Sequence, residues 1–230
     1  MYFQNLTIEQ VRTYLKKKKS IIIPLGSVEA HGLHLPIGTD NLILNKFLER
    51  LNEKNFIIAP PQVYSPVNFA RESDVEQYGT TNIDIEKWVS FTGEYIQKFS
   101  RIGFKEFIIL SWHDTKRFTE AVNKLTKKLS RKIKIKNIRL WQIAVKICKI
   151  NKIPVPEKER HAAFIETSLM LHFNPTLVRR LKIRRGEYIN KEIPISIDKS
   201  GVYGDPTSAH KKYGEQIFEL TLKKLFQEIK

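Results

Sequence analysis

The sequence predicts an α/β fold, a single domain spanning 1–230 with a mostly parallel central sheet flanked by helices. Three features carry that expectation: short β-branched runs, longer amphipathic segments between them, and turn-rich loops where the runs end. The runs "SIIIPLG" (20–26), "NFIIAPP" (55–61), "EFIILSW" (106–112) and "KNIRLWQIAV" (136–145) read as strands, the first three closing on Gly, Pro or a polar turn. Helical spacing follows in "DNLILNKFLERLNEK" from Asp40, "DIEKWVSFTGEYIQKFSRIGF" from Asp84 and "RFTEAVNKLTKKLS" from Arg117. In the second of these, Ile85, Trp88, Val89, Thr92, Tyr95, Ile96 and Phe99 recur at steps of three and four, giving one core-facing stripe. Later come a helical segment "ETSLMLHF" (166–173), a polar region (174–209) rich in turn residues that suits a wrap or lid, and a closing helix over 211–229.

Composition narrows the function classes. A hydrophobic fraction of 41% excludes a disordered chain. The formal charge of +16 admits nucleic acid, an acidic surface or an anionic substrate. The basic residues are scattered, however, and no nucleic-acid motif accompanies them, so solvated faces are the ordinary reading and nucleic acid is not expected as a partner. The single cysteine, Cys148, rules out an internal disulfide and a cysteine-based metal cluster, and it fits a reducing cytoplasm. No apolar run approaches 18 residues and "MYFQNLTIEQ" lacks signal-peptide character, so a cytoplasmic protein with no membrane partner is expected.

The chemistry concentrates in "GSVEAHGLHLPIGTD" (26–40), directly after the first strand. In open α/β sheets, ligands bind beyond the carboxyl ends of strands. Glu29, His31, His34 and Asp40 all fall there, and His113 follows the "EFIIL" strand in the same way. In extended backbone Glu29 and His31, two residues apart, project to one side. Carboxylates and imidazoles are the ligands that hold Zn, Mn or Fe where cysteine is absent, and such ions activate water and polarise carbonyls. Taken singly, Asp40 fits a helix N-cap and each histidine a hydrogen-bonded loop residue. The residues themselves leave both readings open.

The stretch "PLGSVEAHGLHLPIGTD" closely resembles the signature of the creatininase, or creatinine amidohydrolase, family, approximately P-x-G-S-x-E-x-H-G-x-H-L-P-x-x-T-D. "HAAFIETS" (161–168) is similar to the family's H-A-G-x-x-E-T-S, "GVYGDPTSA" (201–209) to its G-V-x-G-D-P-x-x-A, and "YGTT" (78–81) more weakly to F-P-G-T. The resemblance implies a creatininase-like α/β domain, commonly assembled into homo-oligomers, often hexamers. It implies one or two divalent ions (Zn, Fe or Mn) per chain, with Glu29, His31, Asp40 and His113 on ligand positions and Asp40 as the bridge. Glu166 falls on the acid of the E-T-S element, a catalytic residue and further ligand, and His161 on a histidine assigned proton transfer or substrate contact.

The implied activity is hydrolysis of a non-peptide or cyclic amide or a formamide. Among the family's substrates, a phosphorylated pyrimidine intermediate of archaeal flavin and deazaflavin biosynthesis suits the basic composition. The chain departs from the pattern at "SWHDTK" (111–116), where the family reads N-G-H-G-G-N and creatininase proper carries a ligand Glu at the position of Thr115. Asp114, in place of Gly, narrows the pocket or supplies an oxygen. Ala163 replaces the Gly of H-A-G, and "SDVEQ" (73–77) replaces an E-H segment. These departures argue against creatinine itself as substrate. They also motivate an alternative, a catalytically weakened relative that serves in binding or assembly. Trp112 reads as core before pocket wall, and Tyr203 as a loop aromatic that could close over the site.

Overall fold

The computed structural model describes residues 1–67, 79–129, 133–157, 159–186 and 201–229. Two compact units interleave along the chain: Met1–Ser27, Leu44–Asn68 and Asn82–Arg139 form the first, and Val28–Ile43, Phe69–Thr81 and Leu140–Lys230 the second.

The first unit holds the sheet. Strands β1 (Ser20–Leu25), β2 (Glu106–Ser111) and β3 (Lys134–Arg139) pair in that order, all parallel, in a register that sets Ser20 against Glu106 and Glu106 against Lys134. On one face Ile21, Ile23, Leu25, Phe107 and Ile109 join Tyr14 of helix α1 (Ile8–Lys17), Trp88, Val89, Ile96 and Phe99 of α3 (Ile85–Ile102), and Phe118, Val122 and Leu125 of α4 (Lys116–Leu129). Ile22, Ile108 and Leu110 on the other face are buried as well. Continuous rather than alternating apolar runs are what a parallel sheet covered on both faces requires. Helix α2 (Thr39–Glu53) buries Leu44, Phe47, Leu48 and Leu51. Trp112 is 1% exposed and stacks on Phe47 at 6.2 Å, so it is core and not pocket wall.

Two strand expectations need correction. The 55–61 segment runs parallel to β1 and exchanges hydrogen bonds with it at Ile57, Ala59 and Gln62. Pro60 and Pro61 lack N–H groups, so only isolated bridges form and no ladder. The 136–145 run is a strand only to Arg139; helix α5 (Leu140–Ile150) begins at once. Its buried Leu140, Ala144, Ile147 and Cys148 follow the helical period, which overrides the β-branched start. Helix α1, to which the sequence reading assigned nothing, opens on a capping box between Thr7 and Gln10. α2, α3 and α4 begin and end within a residue or two of their expected limits, with Asp84 capping α3 through the N–H groups of Glu86 and Lys87.

The second unit contains α5, α6 (Phe164–Phe173) and α7 (Lys211–Ile229), with short 3-10 turns at Pro175–Leu177 and Arg180–Lys182. Phe164 to Leu171 of α6 are all buried, which is why that segment shows no polar stripe. α7 crosses it closely: a Cβ on Gly214 would stand 2.0 Å from the Ser168 carbonyl oxygen, so only glycine fits. Residues 73–77, Tyr78 and most of the turn-rich loop (187–200) lie outside the described residues. Among the described residues no helix is long and apolar enough to cross a membrane.

Because Phe107 is 1% exposed in the core of the sheet, Phe107→Ala is expected to cost about 3–5 kcal/mol of unfolding free energy. Urea unfolding checks this: the midpoint should fall with an unchanged slope.

Candidate metal centre

The loop after β1 is built to hold two side chains on one side. Its backbone is pinned at three successive residues: Val28 O accepts from Thr81 N, Glu29 N donates to Ile37 O, and Ala30 N donates to Thr80 Oγ1. Glu29 and His31 then present ligand atoms within 4.8 Å of each other. Gly32 turns the chain at φ +73°, and a Cβ there would meet Val202 at 2.5 Å and the His34 ring at 2.7 Å. The two threonines that end the weak "YGTT" match therefore brace the loop.

Asp40 is not the cap of α2. It lies in the first turn, 2% exposed, with its Oδ1 3.3 Å from Nε2 of His31. His31 is fully buried; its Nδ1 donates to the Glu29 carbonyl at 2.9 Å, so Nε2 faces the carboxylates of Asp40 and, at 3.9 Å, Glu166. Nε2 completes no hydrogen bond there.

Glu166 comes from the first turn of α6. The N-cap of that helix, Ala163, offers no capping side chain, and Glu159 supplies the missing acceptor: its two oxygens take the N–H groups of Phe164 and Ile165 at 2.9 Å each. Oε2 of Glu166 takes the N–H of Ala162 at 2.5 Å, while Oε1 is the oxygen that faces His31. Ala162 holds φ +50°, a strain of about 1–2 kcal/mol. Ala163 sits at φ −107°, a negative angle that does not demand the family's glycine. Thr167 bonds Nε2 of His34, and Ser168 Oγ accepts from His210 N just before α7. Each residue of the E-T-S triplet thus has its own task. Glu159 was missed by sequence reasoning; the available signal was a helix start lacking Ser, Thr, Asp or Asn.

His161 packs its ring against His31, tilted by 47° with centroids 4.3 Å apart, and donates Nε2–H to the Ala30 carbonyl at 2.9 Å. Its Nδ1 lies 3.9 Å from Glu166 Oε2, and its side chain is 21% exposed where its neighbours are sealed. Tyr203 pairs with it through both backbone hydrogen bonds and lays its ring 5.8 Å away. His113 belongs to the first unit. It follows β2, is buried, and rests edge-on against Phe118. Asp114 Oδ1 accepts from Arg139 at 3.2 Å and from Thr119, so that oxygen is engaged within its own unit.

Within the second unit, Glu29, His31 and His161 present ligand atoms within 4.8 Å of one another, as do His31, Asp40 and Glu166. Three buried carboxylates and an all-oxygen-and-nitrogen donor set fit a divalent cation of the Mn, Fe or Zn type. The His31 ring agrees. Burial alone would lower its pKa, but Asp40, with Glu166 and Glu29, outweighs that and lifts it to about 10. The same neighbourhood drives His34 down to about 4, through burial and the charge on His31, so His34 stays neutral.

The Creatininase family model, described as creatinine amidohydrolase, matches residues 4–229. A 3-dehydro-scyllo-inosose hydrolase of Thermotoga maritima is 31% identical over 114 residues, 49% of this chain and 36% of that protein, so the match spans about a third of its length. The mycofactocin precursor peptide peptidase of Mycobacterium tuberculosis is 26% identical over 217 residues, covering 86% of this chain and 80% of the relative. Among solved structures, a manganese creatininase superposes with a TM-score of 0.81 at 18% identity, over 99% of this chain and 96% of that one.

A raised folded pKa means that His31 in the ion-free protein keeps its proton through neutrality, with a stabilising effect complete below about 6.5 and lost as pH rises through about 10. A cation taking Nε2 must displace that proton. Zinc or manganese titrated in at pH 7 should therefore release about one proton per His31, with apparent affinity rising about tenfold per pH unit. Calorimetry in buffers of different ionisation enthalpy reads this directly.

Proposed function

The chain belongs to the creatininase family, and on that premise we propose that it is a metal-dependent hydrolase of a carbon–nitrogen bond in a non-peptide or cyclic amide or a formamide. The observation that carries the proposal is the buried Nε2 of His31, aimed at two carboxylates without completing a hydrogen bond. Glu29, His31, Asp40 and Glu166 are the proposed ligands, and His113 is proposed as another on the strength of the family pattern. A divalent ion, Mn, Zn or Fe by its ligand chemistry, contributes Lewis acidity that polarises a carbonyl oxygen and makes water acidic at neutral pH.

The remaining work falls to the chain's own groups. The Glu29 carbonyl fixes the His31 proton on Nδ1 and so orients its other nitrogen. His161, whose Nε2–H is committed to Ala30, has Nδ1 as its basic atom; that nitrogen takes the proton of the attacking water and delivers it to the departing nitrogen. Its partial exposure supports this, since a proton carrier must reach the substrate.

The finer substrate reading is deformylation of a phosphorylated pyrimidine intermediate in archaeal flavin or deazaflavin biosynthesis. The charge of +16 supports an anionic substrate. A cytoplasmic homo-oligomer, hexameric by the family's habit, completes the proposal. A binding or assembly role is favoured by one observation: the Thr115 hydroxyl caps α4, where creatininase proper carries a ligand Glu.

The test takes protein purified without chelators, quantifies its metal and offers a panel of creatinine, formamidopyrimidines and short peptides. Formate or amine release should follow, Glu166→Gln should lose metal, and His161→Gln should keep metal while kcat falls about 10²–10⁴-fold. Full metal occupancy with no turnover of any amide would leave the binding role standing.

A further inference from the structure

The loop that carries His113 is fastened more heavily than a strand end needs. Arg139, the last residue of β3 and the register partner of Ser111, reaches Asp114 Oδ1 at 3.2 Å and Thr119 Oγ1 at 3.3 Å. The Asp114 side chain is 8% exposed. One residue on, Thr115 caps α4: its Oγ1 accepts from Phe118 N at 3.2 Å and its carbonyl from Thr119 N at 2.9 Å. The same hydroxyl stands 3.2 Å from Nε2 of His113, and that nitrogen also lies 3.3 Å from the Pro66 carbonyl.

A carbonyl oxygen only accepts, so the nitrogen facing it carries the proton. The Thr115 oxygen can accept from both Phe118 N–H and the ring. The alternative tautomer would set the Nε2 lone pair against the lone pairs of the Pro66 carbonyl at a buried ring, 2% exposed, where such repulsion is weakly screened. We propose that Thr115 is a positioning residue: with the Pro66 carbonyl it fixes the proton of His113 on Nε2, so that Nδ1 carries the lone pair, while the Asp114–Arg139 pair holds the loop in place. The tautomer stands on this geometry alone; its use in holding a metal rests on the function proposed above. The departure at "SWHDTK" is then a rebuilt support for His113, in which Asp114 is a tether.

The experiment combines two readouts on the full chain. Long-range ¹H–¹⁵N correlation of selectively labelled histidine reports the tautomer of neutral His113, and competition with a chromophoric chelator reports Zn²⁺ affinity. The wild type should show Nε2–H. Thr115→Val should show mixed tautomers and bind Zn²⁺ about tenfold more weakly, and Thr115→Ser should restore both. Thr115→Gly, which keeps an acceptable helix start without the hydroxyl, serves where Thr115→Val does not fold and should behave as the valine variant does. A merely structural Thr115 predicts lower stability with an unchanged tautomer, and that outcome overturns the proposal. So does a wild-type ring protonated on Nδ1. Should the wild type bind no Zn²⁺, the metal reading fails and the tautomer spectra still decide this inference.

Discussion

The ring of His31 is held between a carbonyl and two carboxylates, and the second unit is organised around that contact. On one edge Nδ1 donates to the Glu29 carbonyl; on the other Nε2 faces Asp40 and Glu166. A buried imidazole so placed either keeps a proton far above its ordinary pKa or gives that place to a metal ion. Removing one member of such a set leaves uncompensated charge in a buried site, which is costly in a way that exposed ion pairs are not.

The surroundings serve that arrangement at some expense. Ala162 accepts a left-handed backbone so that its N–H can meet Glu166. Half-buried Glu159 holds the start of α6, and burial, with Glu166 and Asp205 nearby, pushes its carboxyl up to about 8 against the pull of its two backbone hydrogen bonds. Local strain and perturbed protonation concentrated around one cluster are what a functional site tends to show. By contrast the first unit is regular: three parallel strands, of which β1 and β2 are buried on both faces, and helices whose stripes face the sheet.

Much of this was legible in the sequence because the signals were local. The period of α3 and the β-branched runs of β1 and β2 need no tertiary knowledge, and the Glu-x-His spacing of residues 29 and 31 does bring their ligand atoms together. What failed depended on competition between signals. Ile138 and Ile143 lie in one apolar run, yet the helical spacing of Leu140, Ala144 and Ile147 wins after Arg139. Pro60 and Pro61 turn an apparent strand into isolated bridges. Tertiary partners were invisible altogether: nothing in "HDTK" shows that Asp114 is bound to Arg139, or that Glu159 replaces an absent cap. Asp40 looked like a cap because caps are common there; its actual task is set by His31.

The most direct measurement is anomalous scattering from crystals of protein purified without chelators, collected on both sides of the Mn, Fe and Zn absorption edges. An edge-specific peak is expected within bonding distance of Nε2 of His31 and of the carboxylates of Asp40 and Glu166. A map without any such peak after Mn²⁺ and Zn²⁺ soaks, with His31 drawn into a short hydrogen bond to Asp40, would contradict that expectation.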